Sequence, residues 1–176
     1  MRHARSLLLI PLIACGSALA QPRYGLAPDA YDAFAKWMTT SCVGEDARAW
    51  RETLLRYRAV LAPAFQRALA DGPPSEDLQA MRNAADARYA ALATFPVAEY
   101  RITGLDPQAL ARLARPSRKA YVDDQVQRYL TGYKSNAIAG LAIVGGPQAQ
   151  AALARLAATR DDPLAQAAAQ ALKSLR

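Results

Sequence analysis

The chain has 176 residues, 52% of them hydrophobic and 21% charged, and its 22 lysine and arginine residues outnumber the 15 acidic ones, giving a net charge of +7. His3 is the only histidine, and Cys15 and Cys42 are the only cysteines. These counts exclude a disulfide-rich fold, and beyond residue 3 they leave no histidine for a nucleophile pair or a metal site.

The first twenty residues have the pattern of a secretory signal peptide. Arg2 and Arg5 precede a short apolar run, and Ala18-Leu19-Ala20 form a small-residue cleavage site. We therefore expect an exported, periplasmic protein without a transmembrane span, whose residues 21–176 keep 20 basic and 15 acidic side chains, a net charge of about +5. In the alternative reading, Leu12-Ile13-Ala14-Cys15 is a lipobox and Cys15 is lipidated.

Apolar residues recur at helical spacing from residue 28 onwards. Pro28 opens a predicted helix to about Thr40, and a second helix is predicted from about Asp46 to Ala62. We expect Pro63 to kink this helix or to begin another, because proline lacks the N–H that the helix needs. Core packing is the expected role of the apolar faces, although the aromatic stripe of the first helix could line a ligand groove. These faces are Tyr31, Phe34, Trp37 and Met38, then Trp50, Leu54, Tyr57 and Leu61.

The middle of the chain predicts further helices. One begins at Ser75 with Leu78, Met81, Ala85, Tyr89 and Leu92 on one face. The stretch 94–104 is the one part of the sequence that could be extended, and a short helix is predicted to begin at Asp106-Pro107. Because the sequence shows no strand alternation, we expect an all-α fold.

The segment 112–134 has the composition of a binding surface. A helix is predicted from Ser117 to about Thr131, with Gly132 at its end. Arginine suits phosphate groups and tyrosine suits rings or sugars, so the segment could bind an anionic envelope polymer or lipid. The alternative is a solvated basic face with its tyrosines in the core. Asp123 and Asp124, in the middle of the segment, reduce its positive charge. The basic residues are Arg112, Arg115, Arg118, Lys119, Arg128 and Lys134, interleaved with Tyr121, Tyr129 and Tyr133.

The C-terminal segment 135–176 predicts three short helical stretches. Gly145-Gly146-Pro147 ends one helix and begins the next, and Asp162-Pro163 begins a third with Asp162 as N-cap. The first and third stretches can be superimposed, because Gly140-Leu141 and Ala171-Leu172 are 31 residues apart. A period of this size indicates stacked helical hairpins.

This C-terminal segment resembles HEAT-like repeats of the short bacterial type. The small residues before an Ala-Leu pair, the Gly-Gly break and the Asp-Asp-Pro turn after the second helix carry the resemblance, which spans about one and a half repeats. It implies a non-catalytic protein-interaction scaffold. We expect helical hairpins stacked as a short α-solenoid, or an irregular helical bundle, with regions 1–20, 21–134 and 135–176 and a single domain from 21 to 176.

Catalysis finds little support in the sequence. The less favoured alternative is a hydrolase that uses Glu52 or Glu99 as a lone general acid, and Arg56 is a potential i,i+4 ion-pair partner of Glu52. Asp161 and Asp162 are better explained as a capping turn than as metal ligands, and glycine-rich nucleotide-binding patterns are absent. We therefore expect neither enzymatic activity nor a cofactor.

Two binding functions remain from this reading of the sequence. The first is binding of another envelope protein through the helix that begins at Pro147, with Arg155 and Arg160, together with the basic helix before it. The second is binding of an anionic envelope polymer or lipid through Arg115, Arg118, Lys119 and Arg128. Nucleic acid is not an expected partner of an exported protein.

Overall fold

A computed structural model describes residues 23–39, 47–94 and 117–175. Within these ranges the chain is all-α, with seven α-helices, one 3₁₀ turn and no strand, which confirms the predicted fold class. The turn is Arg23–Gly25, and the helices are α1 Pro28–Thr39, α2 Ala47–Arg56, α3 Arg58–Asp71, α4 Ser75–Thr94, α5 Arg118–Val144, α6 Gly146–Ala157 and α7 Ala165–Ser174. The predictions for the leader, Cys42, Glu99 and the stretch 95–116, including Arg112 and Arg115, lie outside the described residues.

Helix α5 is the centre of the described structure. It contains 27 residues, about 40 Å at the usual rise, and it contacts each of the other six helices. In a solenoid each repeat contacts only its neighbours. A single helix that touches all the others therefore favours the bundle alternative within the all-α prediction.

The core of the described chain lies along α5. Its largest fully buried side chains are Phe65, Leu54, Leu61, Leu141 and Leu153, contributed by α2, α3, α5 and α6. The predicted apolar face of α1 is confirmed as core, because Phe34, Trp37 and Met38 are buried and Tyr31 packs against them. Within the described residues, the aromatic stripe of this helix packs in the core.

The closest approach in the core joins α3 to α5 at Gly140. A Cβ atom at this position would lie 2.6 to 2.8 Å from three carbons of the Phe65 ring. Phe65 also packs on Phe34, with ring centroids 5.2 Å apart. The absence of a side chain at Gly140 therefore lets the ring lie directly on the α5 backbone.

Two polar contacts attach α1 to α5. The indole Nε1 of Trp37 donates to the carbonyl oxygen of Asn136 at 2.8 Å, and the Asn136 side-chain amide donates to the carbonyl oxygen of Met38 at 3.0 Å. The second bond satisfies a carbonyl in the last turn of α1, which has no partner within its own helix. Together they fix where α1 meets the middle of α5.

The prediction that a helix ends at Gly132 is wrong. Helix α5 continues through Gly132 to Val144, so residue 134, the predicted end of the N-terminal region, lies inside it. A glycine inside a helix costs only about 1 kcal/mol, and burial of Tyr133, Ala137 and Ile138 immediately after it offsets that cost.

The predicted position of the break near Pro63 is also corrected. Helix α2 ends at Arg56 and α3 begins at Arg58, while Pro63 lies inside α3. Tyr57 has φ −102° and ψ 15°, and its carbonyl accepts from Val60 and Leu61. The break at Tyr57 lies six residues before Pro63 (63 − 57), outside the turn whose hydrogen bond the proline removes.

The C-terminal turns follow the sequence more closely. Gly145 and Gly146 have φ values of 64° and 88°, which separate α5 from α6 as predicted. The predicted N-cap position is wrong: the last helix begins at Ala165, and its N-cap is Leu164, which makes no side-chain capping bond. The Asp162 carboxylate instead accepts from the Leu164 N–H at 2.7 Å within the turn that precedes the helix. None of the described helices is both long enough and apolar enough to cross a membrane.

Candidate functional site

The basic, tyrosine-containing face predicted on α5 lies against α4. Arg118 forms a two-pronged ion pair with Asp86 of α4, and the Tyr121 ring packs on Tyr89 of α4 with centroids 5.5 Å apart. The hydrogen bond from Arg118 lowers the pKa of Asp86. These contacts attach α5 to α4. The Arg118 guanidinium and the Tyr121 ring therefore already have partners within the protein.

Two further cations of the predicted surface are paired within α5. The Lys119 ammonium lies 2.6 Å from Asp123, and Arg128 Nε lies 2.8 Å from Asp124, both at i,i+4 spacing. The hydrogen bond from Lys119 lowers the pKa of Asp123. The aspartates that dilute the positive field in the sequence are therefore the direct partners of these two cations.

The second predicted surface divides at the end of α6. Arg155 lies in the last turn of this helix and lines a groove, whereas Arg160 lies exposed in the turn that follows. The structure thus does not combine the predicted residues into one surface: Arg118, Lys119, Tyr121 and Arg128 occupy the first half of α5, and Arg155 belongs to a different groove.

We name this cavity the basic groove. It has a volume of about 580 Å³ and lies between α3, α5, α6 and the turn that precedes α7. Half-buried Leu69, Ala152 and Leu156 provide apolar surface, and Arg67, Lys134 and Arg155 provide three cations. Sequence reasoning placed Lys134 in a basic segment, but it gave no signal for Arg67 or for the groove itself.

Arg67 is positioned by the residues at the start of the described chain. Its guanidinium donates to the carbonyl oxygen of Tyr24 and lies 5.5 Å from the centroid of the Tyr24 ring. Tyr24 has a φ of 61°, which is uncommon for a residue other than glycine. Its hydroxyl is 2.9 Å from that of Tyr133, and its ring centroid is 4.9 Å from that of Phe34.

Burial shapes the chemistry of this tyrosine pair. Burial first, and then the hydrogen bond with Tyr24, raise the pKa of Tyr133 well above its usual range. Tyr133 therefore remains a neutral phenol at physiological pH and serves as a hydrogen-bonding anchor between α5 and the Tyr24 turn.

A second cleft lies between α1 and α2 and has a volume of about 460 Å³. Its walls include Trp50, Tyr57 and the ion pair of Asp32 with Lys36, whose atoms are 2.7 Å apart. Glu52, the candidate general acid on α2, is exposed and is not among the described residues that line this cleft. This cleft therefore does not place that carboxylate in a shielded site.

The described ranges offer neither a metal site nor an unpaired buried polar side chain. There, no group of three or more histidine, cysteine, aspartate or glutamate side chains is arranged to hold a metal ion. Each buried side-chain nitrogen or oxygen in these ranges has a hydrogen-bond partner. The basic groove differs from the cleft between α1 and α2 in combining three cations with an apolar lining.

Comparison with known proteins gives no family for this chain. No family model, no curated protein and no solved structure matches it.

Proposed function

We propose that this chain is an exported, non-catalytic helical protein that acts as a protein-binding module in the bacterial cell envelope. Export rests on the signal-peptide pattern of residues 1–20. The protein-binding role rests chiefly on the basic groove; the HEAT-like pattern of residues 135–176 adds support from the sequence, although α5 packs as the centre of a bundle rather than as part of one repeat. Helical repeats present surfaces to partners and supply no chemistry of their own.

The basic groove is the observation that carries this proposal. Protein interfaces commonly combine an apolar centre with a polar rim, and the groove has both, with Leu69 and Leu156 partly accessible beside Arg67 and Arg155. The lining side chains belong to helices that share one core. Its shape is therefore largely formed before a partner arrives, which reduces the entropy lost on binding.

Binding of an anionic polymer or lipid through the first half of α5 draws less support. Arg118, Lys119 and Arg128 each have a carboxylate at hydrogen-bond distance. A bound polyanion would either displace these aspartates or be repelled by them. The electrostatic attraction between each of these cations and a polyanion is therefore weakened.

Site-directed photo-cross-linking in intact envelopes tests the proposal. A photoreactive residue at Lys134 or Leu156 would report on the basic groove, and one at Arg88, exposed on α4, would serve as the control. Captured material is then identified by mass spectrometry after washing at low and at high salt.

The proposal expects one stoichiometric protein partner, captured from the groove positions, retained at high salt and absent from the control position. Capture of no protein, with salt-sensitive retention on envelope material, would refute it in favour of polymer binding, because attraction between exposed charges is screened by salt. The same spectra identify the first residue of the exported chain, either Gln21 or an acylated Cys15.

A further inference from the structure

The cations of the basic groove differ from the other basic side chains on this protein in what surrounds them. On α1 and α5, Lys36, Lys119 and Arg128 each pair with an aspartate of the same helix. Among the described residues, no carboxylate lies within ion-pair distance of Arg67, Lys134 or Arg155, the three groove cations. The groove therefore combines three cations from three separate helices with one lining carboxylate, Asp162, and its lining carries a net charge of +2 (3 − 1).

The carboxylate in the groove wall is held by the backbone and keeps its negative charge. Asp162 lines the groove, and its Oδ1 accepts from the Leu164 N–H at 2.7 Å. Arg155 donates from Nε to the Ala151 carbonyl at 3.3 Å, and Arg67 donates to Tyr24. Since an arginine has five N–H donors, both guanidinium groups keep donors for an anionic ligand.

The space between the cations is apolar, with some neutral polar groups. Leu69 and Leu156 are half-buried, and Leu164 is buried beneath the groove. Gln66 and Thr159 add an amide and a hydroxyl to the wall. The Thr159 hydroxyl already donates to the Arg155 carbonyl at 3.3 Å. A small inorganic anion would leave the apolar surface uncovered, whereas an acyl chain would offer no partner to the Gln66 amide. A peptide satisfies all three types of group.

We infer that the basic groove binds an acidic segment of a partner protein, with carboxylates meeting Arg67, Lys134 and Arg155 and apolar side chains lying on Leu69 and Leu156. This inference rests on the proposed protein-binding function and adds the chemistry of the partner. The groove volume of about 580 Å³ accommodates a short segment of such a chain.

The test uses a synthetic heptapeptide of alternating glutamate and leucine, blocked at both ends and fluorescently labelled, and measures its anisotropy with the purified protein. A peptide with glutamine in place of glutamate is the ligand control. The groove variant is Lys134→Gln with Arg155→Gln. Its matched control is Arg51→Gln with Arg88→Gln, which removes the same charge from exposed sites on α2 and α4.

We expect the glutamate peptide to bind and the glutamine peptide to bind at least tenfold more weakly. Because an exposed ion pair contributes up to about fivefold in affinity, the groove variant should lose about tenfold and the control variant less than about twofold. Circular dichroism confirms that each variant is folded.

Three results would overturn the inference: no binding of the glutamate peptide, equal binding of the glutamine peptide, or equal losses in the two variants. Cross-linking of a protein partner outside the groove, together with absent peptide binding, would reject the groove assignment and leave the proposed protein-binding function standing. Failure to capture any protein would reject the proposed function itself, and the peptide titration would still report separately on the groove.

Discussion

Gly140→Ala tests whether the contact between α3 and α5 is as close as described. The new methyl group would be placed 2.6 to 2.8 Å from three carbons of the Phe65 ring. Ordinary carbon–carbon contacts are about 3.5–4.0 Å, so the ring would have to retreat by about 1 Å. Phe65 is fully buried, and the Phe34 ring packs against it with a centroid distance of 5.2 Å, which obstructs this retreat.

Two opposing terms set the expected change in the free energy of unfolding. Replacing glycine by alanine inside a helix stabilises it by about 1 kcal/mol. Inserting a methyl group into a packed core destabilises by about 1–3 kcal/mol, and an overlap with three ring carbons belongs near the upper end of that range. Gly140→Ala should therefore destabilise the protein by about 1–2 kcal/mol.

Gly132→Ala provides a matched control eight residues earlier in the same helix. Gly132 is exposed, and a Cβ atom there meets nothing within 4 Å. The helix-propensity gain is then unopposed, so this variant should be stabilised by about 1 kcal/mol. Urea denaturation followed by circular dichroism measures both, and with a slope of about 1–3 kcal/mol per molar urea the midpoints should differ by about 1 M.

A Gly140→Ala protein as stable as the parent would refute the close contact. A destabilised Gly132→Ala protein would refute the continuity of α5, because it would mean that Gly132 needs a glycine conformation, as expected at a helix end. Adding Phe65→Leu to Gly140→Ala separates overlap from other effects. If the ring is the obstacle, the double variant should lose less stability than the two single changes predict together.

Three further predictions concern the contacts around α5. Because burial raises the pKa of Tyr133, its unfolded form loses a proton near pH 10 while the folded form keeps it, so stability falls as the pH rises above about 10. Tyr133→Phe should reduce this fall in urea denaturation across a pH series, and an unchanged slope would contradict the assignment. Asn136→Ala removes the hydrogen bond to the Met38 carbonyl and should cost about 1 kcal/mol in the same assay, whereas an unchanged midpoint would show that the bond contributes nothing. Gly145 has φ 64° and ψ −160°, a region that glycine almost alone occupies, so Gly145→Ala should cost about 1–3 kcal/mol; equal thermal stability would contradict that geometry.

Apolar spacing predicted where most helices lie and part of their buried faces, but it predicted neither the continuity of α5 nor the break at Tyr57. Leu54 and Leu61 are fully buried as their periodicity predicted, and Gly145 separates two helices as its sequence context predicted. The prediction of a helix end failed at Gly132 because a glycine inside a helix costs only about 1 kcal/mol, which is too little to end the helix by itself. Burial of the following residues by distant parts of the chain decides the outcome there, and a single sequence does not show those contacts.

The candidate site was less accessible to sequence reasoning. Arg155 was predicted, but the groove depends on its proximity to Arg67 and Lys134, which are distant in sequence and belong to different helices. The pairing of Arg118 with Asp86 across 32 residues was equally hidden. The sequence shows which side chains are charged. Whether a given cation lies beside a carboxylate depends on which helices pack together, and a single sequence does not show that packing.

The tyrosine pair connects the core to the basic groove, which leads to a last prediction. Tyr133 precedes the groove residue Lys134 and bonds to Tyr24, whose carbonyl accepts from Arg67. Removing the hydroxyl in Tyr133→Phe frees the Tyr24 turn, and Arg67 then has to be ordered when a ligand binds. Ordering one such side chain costs about 0.5–1.5 kcal/mol, so the glutamate–leucine peptide should bind about twofold to tenfold more weakly at neutral pH, although Tyr133 itself does not line the groove. Anisotropy titration of the folded variant measures this loss, and an unchanged affinity would show that Arg67 is positioned without the tyrosine pair.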